Sequence, residues 1–410
     1  MFNLTTPGKW ESLRVTPADL RLDTTLNCGQ SFRWVKTGEE EWTSVLKGKI
    51  VSLRQEESDI LFKLHEQTAG DEFATTAPLE SQEAFRPVLE DYFQLNVDLK
   101  GLYEKWKMDL NFKKKASFFA GIRILRQDPT ENVFTFICSS CNNIPRITSM
   151  VNNLCINYGP YIGTVPGHPH PYHGFPSVAR LAGDGMESEL RKLGFGYRAK
   201  YIMKAAQYIM EKETALKTDA GDSNGGWLEN LRHLPYEECR AELIKLAGVG
   251  PKVADCICLM SMDKPGAIPV DTHVWQIAQR DYKMKFQTRA KTKSLTPKHY
   301  VAIGDFFRDT FGPFAGWAHS ILFTADLNQF AQHGRIEKKV AILDEIRTEG
   351  EEKISIKVEA AQVIGNVEVP GDMKRDPDVT ASKKSEVHFE PPSHVFAVKT
   401  ETMMNIHRAV

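Results

Sequence analysis

The stretch Leu246–Tyr282, LAGVGPKVADCICLMSMDKPGAIPVDTHVWQIAQRDY, governs how the rest of the chain is read. Gly248 and Gly250 flank one apolar residue, a pattern suited to a tight turn with positive φ. Pro251 suits the first position of a new helix, where its missing N–H costs nothing. Lys252 to Met262 is apolar almost all round, which predicts a buried helix. Pro265 and Gly266 end it, and Pro269-Val270-Asp271 leads into a second helix with Asp271 as its N-cap.

This layout puts a lysine in the first turn of one helix and an aspartate at the head of the next. Burial and the positive end of the helix dipole both disfavour an ammonium, so Lys252 is expected to be partly neutral and therefore nucleophilic. The unsatisfied N–H groups of the same helix start suit a phosphate. Amine, carboxylate and phosphate cradle together suggest chemistry on a nucleic-acid backbone or sugar.

Composition leaves function open. The 410 residues are long enough for two or more domains, and 41% hydrophobic and 26% charged residues are ordinary for a globular protein. Apolar runs are far shorter than a membrane span, and MFNLTTPGKW has neither a secretory nor a transit character. The seven cysteines show no disulfide framework, which predicts reduced thiols in a soluble intracellular protein. Net charge is −1, with −3 on Glu337–Val410, so any phosphate-binding surface has to be local.

Residues from about 10 to 80 alternate apolar and polar positions, as in TSVLKGKIVSL, which fits an antiparallel sheet with one face packed and one solvated. From Glu83 to about Phe330 the period becomes helical. Tyr161–Pro176, rich in Pro, Gly and His, reads as a loop, and Lys217–Gly226 as a flexible connector. His168, His170 and His173 lack a partner cysteine or carboxylate at ligand spacing, and Cys138-x-x-Cys141 lacks a second pair, so both read as non-metal. Beyond Arg335 the chain turns charged and reads as disordered, apart from a candidate short helix near Val340–Glu352. The fold class is thus α+β: a sheet domain over 1–115, a larger helical domain over 116–334 and a charged tail over 335–410.

Five blocks in order resemble the eukaryotic 8-oxoguanine DNA glycosylases of the helix-hairpin-helix, Gly-Pro-Asp superfamily. They are CGQSFRW (Cys28–Trp34), ICSSCNNIPRIT (Ile137–Thr148), LRKLGFGYRAKYI (Leu190–Ile202), the opening stretch, and FAGWAHSILFTADL (Phe314–Leu327). The resemblance, from about Asn3 to about Phe330, implies a bifunctional glycosylase and abasic-site lyase. Such an enzyme flips 8-oxoguanine or a formamidopyrimidine out of duplex DNA opposite cytosine. It implies Lys252 as nucleophile, forming a Schiff base followed by β-elimination, and Asp271 as stabiliser of the oxocarbenium-like sugar. Their bland alternatives are a solvated surface lysine and a plain N-cap.

The same resemblance assigns Gly29, Cys256, Met260, His319 and Phe323 to a cavity sized for one extruded purine, where the Gly29 carbonyl reads N7–H. It assigns Cys141, Asn142, Arg146, Tyr197 and Arg198 to the gap and the orphaned cytosine, and Gly248, Gly250 and His273 to the DNA backbone. Cys141 stands where asparagine is usual and His319 where glutamine is usual, which puts lesion and opposite-base preference in question. No cofactor is implied for the chemical step. The last cysteine, Cys258, precedes Asp271, so no iron–sulfur cluster is expected. The implied partner is double-stranded DNA carrying an oxidised purine, bound by a monomer in the nucleus, with a mitochondrial pool. Lys374-Arg375 and Lys383-Lys384 are candidate import signals, or merely solvated charge. The alternatives are a glycosylase of the same superfamily with altered preference and a non-catalytic DNA-binding module.

Overall fold

A computed structural model describes residues 9–65, 82–220, 226–285 and 295–330. The expectations for the tail over 335–410, its short helix and its basic pairs lie outside the described residues. Strands β1 (Glu11–Ser12), β2 (Val35–Lys36), β3 (Glu41–Leu46), β4 (Lys49–Gln55) and β5 (Ile60–Leu64) form one antiparallel sheet in the order β1-β5-β4-β3-β2. Trp42 pairs with Leu53 and Leu53 with Phe62 across the register. All three face the Gln82–Tyr92 helix, whose Phe85 and Leu89 complete this core.

The sheet differs from the sequence expectation in one respect. Thr43 and Ser52, which read as solvent-facing, are buried. Their hydroxyls bond each other at 2.6 Å, and Ser52 also bonds His65 at 2.7 Å. Paired hydroxyls remove most of the cost of burial. Tyr161–Pro176 provides the cover: it contains a two-stranded ribbon, Tyr161–Gly163 with Tyr172–His173. Ile162, Val165 and Tyr172 from it pack on Val45 and Ile50.

The Arg198–Ala220 helix runs four residues into the segment expected to be a connector. Lys217 to Ala220 contain no helix breaker, and the glycines come only afterwards. Packing changes partner between Leu95, on the sheet core, and Val97, on the helical core. Cys28 and Phe32 cross over to the helical core despite their place among the strands. Among the described residues no helix is long and apolar enough to cross a membrane.

Candidate active site

The hairpin forms where the sequence puts it, with one correction. Gly248 has φ +84°, and a Cβ there would lie 2.8 Å from Tyr201 Cβ. Gly250 is extended (φ −93°, ψ −178°) with open space around it, so only the first glycine is required by conformation. Pro251–Ser261 is then a helix with Pro251 at its start, buried from Val253 onward. Asp271 caps the Thr272–Arg280 helix: its Oδ1 accepts from the N–H groups of His273 (2.9 Å) and Val274 (3.0 Å). Such a cap is worth about 1 kcal/mol. Oδ2 takes no part in it.

Lys252 and Asp271 line one cavity together with Cys28, Gly29, Gln30, Phe136, Cys256, Met260, Pro269, His319, Ser320, Phe323 and Thr324. Two helices build its walls by the same device. Cys256 and Met260 stand one turn apart on Pro251–Ser261, and His319 and Phe323 one turn apart on Ala315–Thr324. The latter helix is buried nearly all round, and Phe323 is its half-buried member, at the border of the cavity. Gly29 arrives from the sheet side, with φ +86° and Ile144 Cδ1 3.2 Å from where a Cβ would sit. Gln30 holds it there: the amide donates to Thr25 O (3.1 Å) and Arg123 O (2.8 Å) and accepts from Leu125 N (2.9 Å). Gln30 and Phe136 lie inside or beside the matched blocks, yet their side chains carried no chemical signal of their own.

The surroundings of Lys252 oppose the expected fall in its pKa. Burial pulls its pKa down, but Cys256 and Asp271 beside it more than offset that, and the net shift is upward. Its Nζ lies 5.6 Å over the Phe136 ring, a cation–π arrangement. Burial pushes the Cys28 and Cys256 thiols up to about 11, so both stay protonated near neutrality. His319 is pushed down to about 4 by burial, assisted by Lys252 and opposed by Asp271. It is therefore neutral, 5% exposed, and neither ring nitrogen has a hydrogen-bond partner among the described residues. Its ring stacks on Phe323 at 6.4 Å.

The cavity is also smaller than a purine requires. Its volume is about 50 Å³, against the ~150 Å³ that accommodates a benzene. Phe323 meets the edge of the His273 ring at 5.7 Å. His273 Nδ1 in turn lies 3.5 Å from Asp326, which pairs with Arg280 at 2.7 Å.

The residues expected at the orphaned base form a second, exposed cluster. Cys141 sits at the tip of a turn with φ +48°. Arg198 is buried, lies 4.6 Å from the Tyr197 ring, and donates from Nε to Ser140 O (3.1 Å) and from Nη2 to Cys141 O (3.1 Å). It fastens the turn instead of projecting from it. The Asn142 amide also points inward, to Cys138 O at 2.9 Å and Met150 Sδ at 3.3 Å. Tyr197 (47% exposed) and Arg146 remain at the surface. Tyr201 joins the two regions, packing edge-on to Tyr197 and against Gly248. Among the described residues no group of three or more His, Cys, Asp and Glu is arranged to hold a metal ion. His168 bonds Tyr172 instead (2.8 Å).

Residues 12–133 match the family model described as the 8-oxoguanine DNA glycosylase N-terminal domain, and residues 134–299 match that of the HhH-GPD superfamily base excision DNA repair proteins. An N-glycosylase/DNA lyase of Arabidopsis thaliana is 40% identical over 322 residues, covering 78% of this chain and 80% of that protein. The N-glycosylase/DNA lyase of Saccharomyces cerevisiae is 36% identical over 347 residues, covering 78% and 86%. The 8-oxoguanine glycosylase/lyase of Clostridium acetobutylicum was solved with double-stranded DNA containing cytosine opposite 8-oxoguanine. It superposes with a TM-score of 0.60 at 31% identity, covering 75% of this chain and 91% of that one. With both domain models matched and relatives at 36–40% identity covering 78% of it, the chain belongs to the 8-oxoguanine DNA glycosylase family, DNA N-glycosylases of the helix-hairpin-helix superfamily with abasic-site lyase activity.

Proposed function

We propose that this enzyme excises 8-oxoguanine and related formamidopyrimidines from duplex DNA opposite cytosine, and then cleaves the strand through a Schiff base on Lys252. The observation that carries the reading is the convergence of Lys252 and Asp271, each at a helix start, on one cavity walled by Phe323 and Cys256. The Asp271 charge stabilises the sugar as the glycosidic bond opens. The Lys252 amine bonds to the anomeric carbon, and the resulting iminium acidifies the neighbouring C–H for β-elimination. Bonding of the Lys252 nitrogen to carbon releases a proton. The departing purine anion needs one, so the two demands balance within the site.

The Gly29 carbonyl reads N7–H, the group that separates the lesion from guanine. Tyr197 fills the gap in the stack, and Arg146 and the Arg198-braced turn meet the orphaned cytosine. Gly248, Gly250 and His273 face the backbone phosphates at the two helix starts.

Borohydride trapping on duplex DNA with 8-oxoguanine opposite cytosine tests the reading. Lys252→Gln abolishes the trapped adduct while duplex binding persists; survival of the adduct moves the nucleophile elsewhere. A second reading keeps the reaction and changes the preference. It is favoured by the unpartnered His319 ring, which offers one donor and one acceptor whose order depends on the tautomer. Release rates across lesions and opposite bases separate the two.

A further inference from the structure

Beneath the cavity lies a buried carboxylate that the chemistry above leaves unused. Asp255 follows Lys252 by three positions on the same helix, and its side chain is 1% exposed. A charge this deep costs several kcal/mol unless it is fully bonded. Here its partners come from different elements. Oδ1 accepts from the Tyr236 hydroxyl (2.6 Å) and from Arg240 Nε (2.9 Å), both on the Tyr236–Ile244 helix. Oδ2 accepts from the Tyr300 hydroxyl, on the Pro297–Phe311 helix.

Tyr300 does more than satisfy the carboxylate. Its oxygen also receives the Val270 N–H at 3.4 Å and lies 3.4 Å from the carbonyl of Ile268. A phenol has one proton, and the carboxylate is the stronger acceptor, so the hydroxyl donates to Asp255 and accepts from Val270. Val270 immediately precedes Asp271. One hydroxyl therefore ties the backbone leading into Asp271 to the helix that carries Lys252. We propose that Tyr300, acting through Asp255, is a positioning residue that sets the spacing between the Lys252 amine and the Asp271 carboxylate.

This inference rests on the preceding assignment of that pair. Tyr236 is the natural control. It contributes the same kind of bond to the same carboxylate but, among the described residues, has no hydrogen bond to the segment before Asp271. A purely structural network would make the two tyrosines equivalent.

The test compares Tyr300→Phe with Tyr236→Phe in the full chain. The measurements are thermal unfolding, affinity for a duplex carrying a tetrahydrofuran abasic analogue, and single-turnover base release at saturating enzyme. Both variants are expected to lose similar thermal stability and to bind the analogue duplex like the parent. Single-turnover release falls about tenfold or more in Tyr300→Phe, because small misplacement of reacting groups is costly, and stays within about threefold of the parent in Tyr236→Phe. Equal rates in the two variants, whether both reduced or both unchanged, overturn the proposal. Lys252→Gln run alongside separates the failures. If it retains the trapped adduct, the assignment of the pair fails. If it is inactive while the two tyrosine variants match, only the positioning role fails.

Discussion

The excision cavity and the partner-base turn are built on opposite principles. In the cavity, polar groups keep bonding capacity: among the described residues buried His319 has both nitrogens unpartnered, and half-buried Asp271 spends only Oδ1 on its cap. In the turn at Ser140–Asn142, polar groups are spent at once, on Arg198 and on Asn142's own inward bonds. The difference teaches where free energy is stored. The cavity holds unmet demand for a ligand, whereas the turn is a finished surface that presents Tyr197, Arg146 and Cys141.

If that contrast is right, charge removal in the cavity has the largest effect. Asp271→Asn is expected to slow single-turnover base release by about 10²–10³-fold, the scale of one lost transition-state stabiliser. Duplex affinity should stay near the parent value. A decrease confined to affinity would make Asp271 a cap only.

His319 ranks next and gives a pH signature. Its folded pKa of about 4 lies below the unfolded value, so between about pH 6.5 and about pH 4 the unfolded chain binds the extra proton. Stability therefore falls as pH falls through that window, by up to about 3 kcal/mol from this ring. His65, also held near 4 by burial, acts in the same direction in parent and variant alike. His319→Gln should unfold at lower pH than the parent in an acid titration followed by circular dichroism. An unchanged midpoint would mean that the ring is not buried in its neutral form.

Phe323→Ala is expected to weaken binding of lesion duplex by about 1–3 kcal/mol, one stacked base. No loss would remove Phe323 from the base site. The smallest effect falls on the turn. Cys141→Asn, on an exposed tip whose backbone Arg198 already braces, should shift affinity by about 1 kcal/mol or less. It should sharpen preference for cytosine over other opposite bases in a competition assay. A large loss of excision from this change would show that the turn carries ligand demand of its own, and would dissolve the comparison.

Much of both regions was legible because particular residues announce local conformation. Pro251 marked a helix start, Asp271 a cap and Gly248 a turn, and each does what its side chain dictates. Gly250 is extended, and pattern alone does not separate a glycine that needs positive φ from one that does not. Thr43 and Ser52 were read as a solvated face because a hydroxyl pair across two strands looks like any polar alternation. Phe136 carries a residue type common in any core, and only proximity to Lys252 gives it meaning. Arg198 and Asn142 match their block, yet the direction in which each side chain bonds depends on the carbonyls around it.

By itself the sequence determined the hairpin, the two helix starts, the order of sheet and helices, and the reaction family. Each of those rests on residues within a few positions of one another or on blocks that keep their order. Only the tertiary structure decided that Cys256 and Asp271 oppose the effect of burial on Lys252, that the cavity as it stands is smaller than a purine, and that Tyr300 links Asp255 to the approach to Asp271. The reason is physical. Charge state, free volume and buried bonding are sums over groups far apart in the chain, and no local pattern contains such a sum.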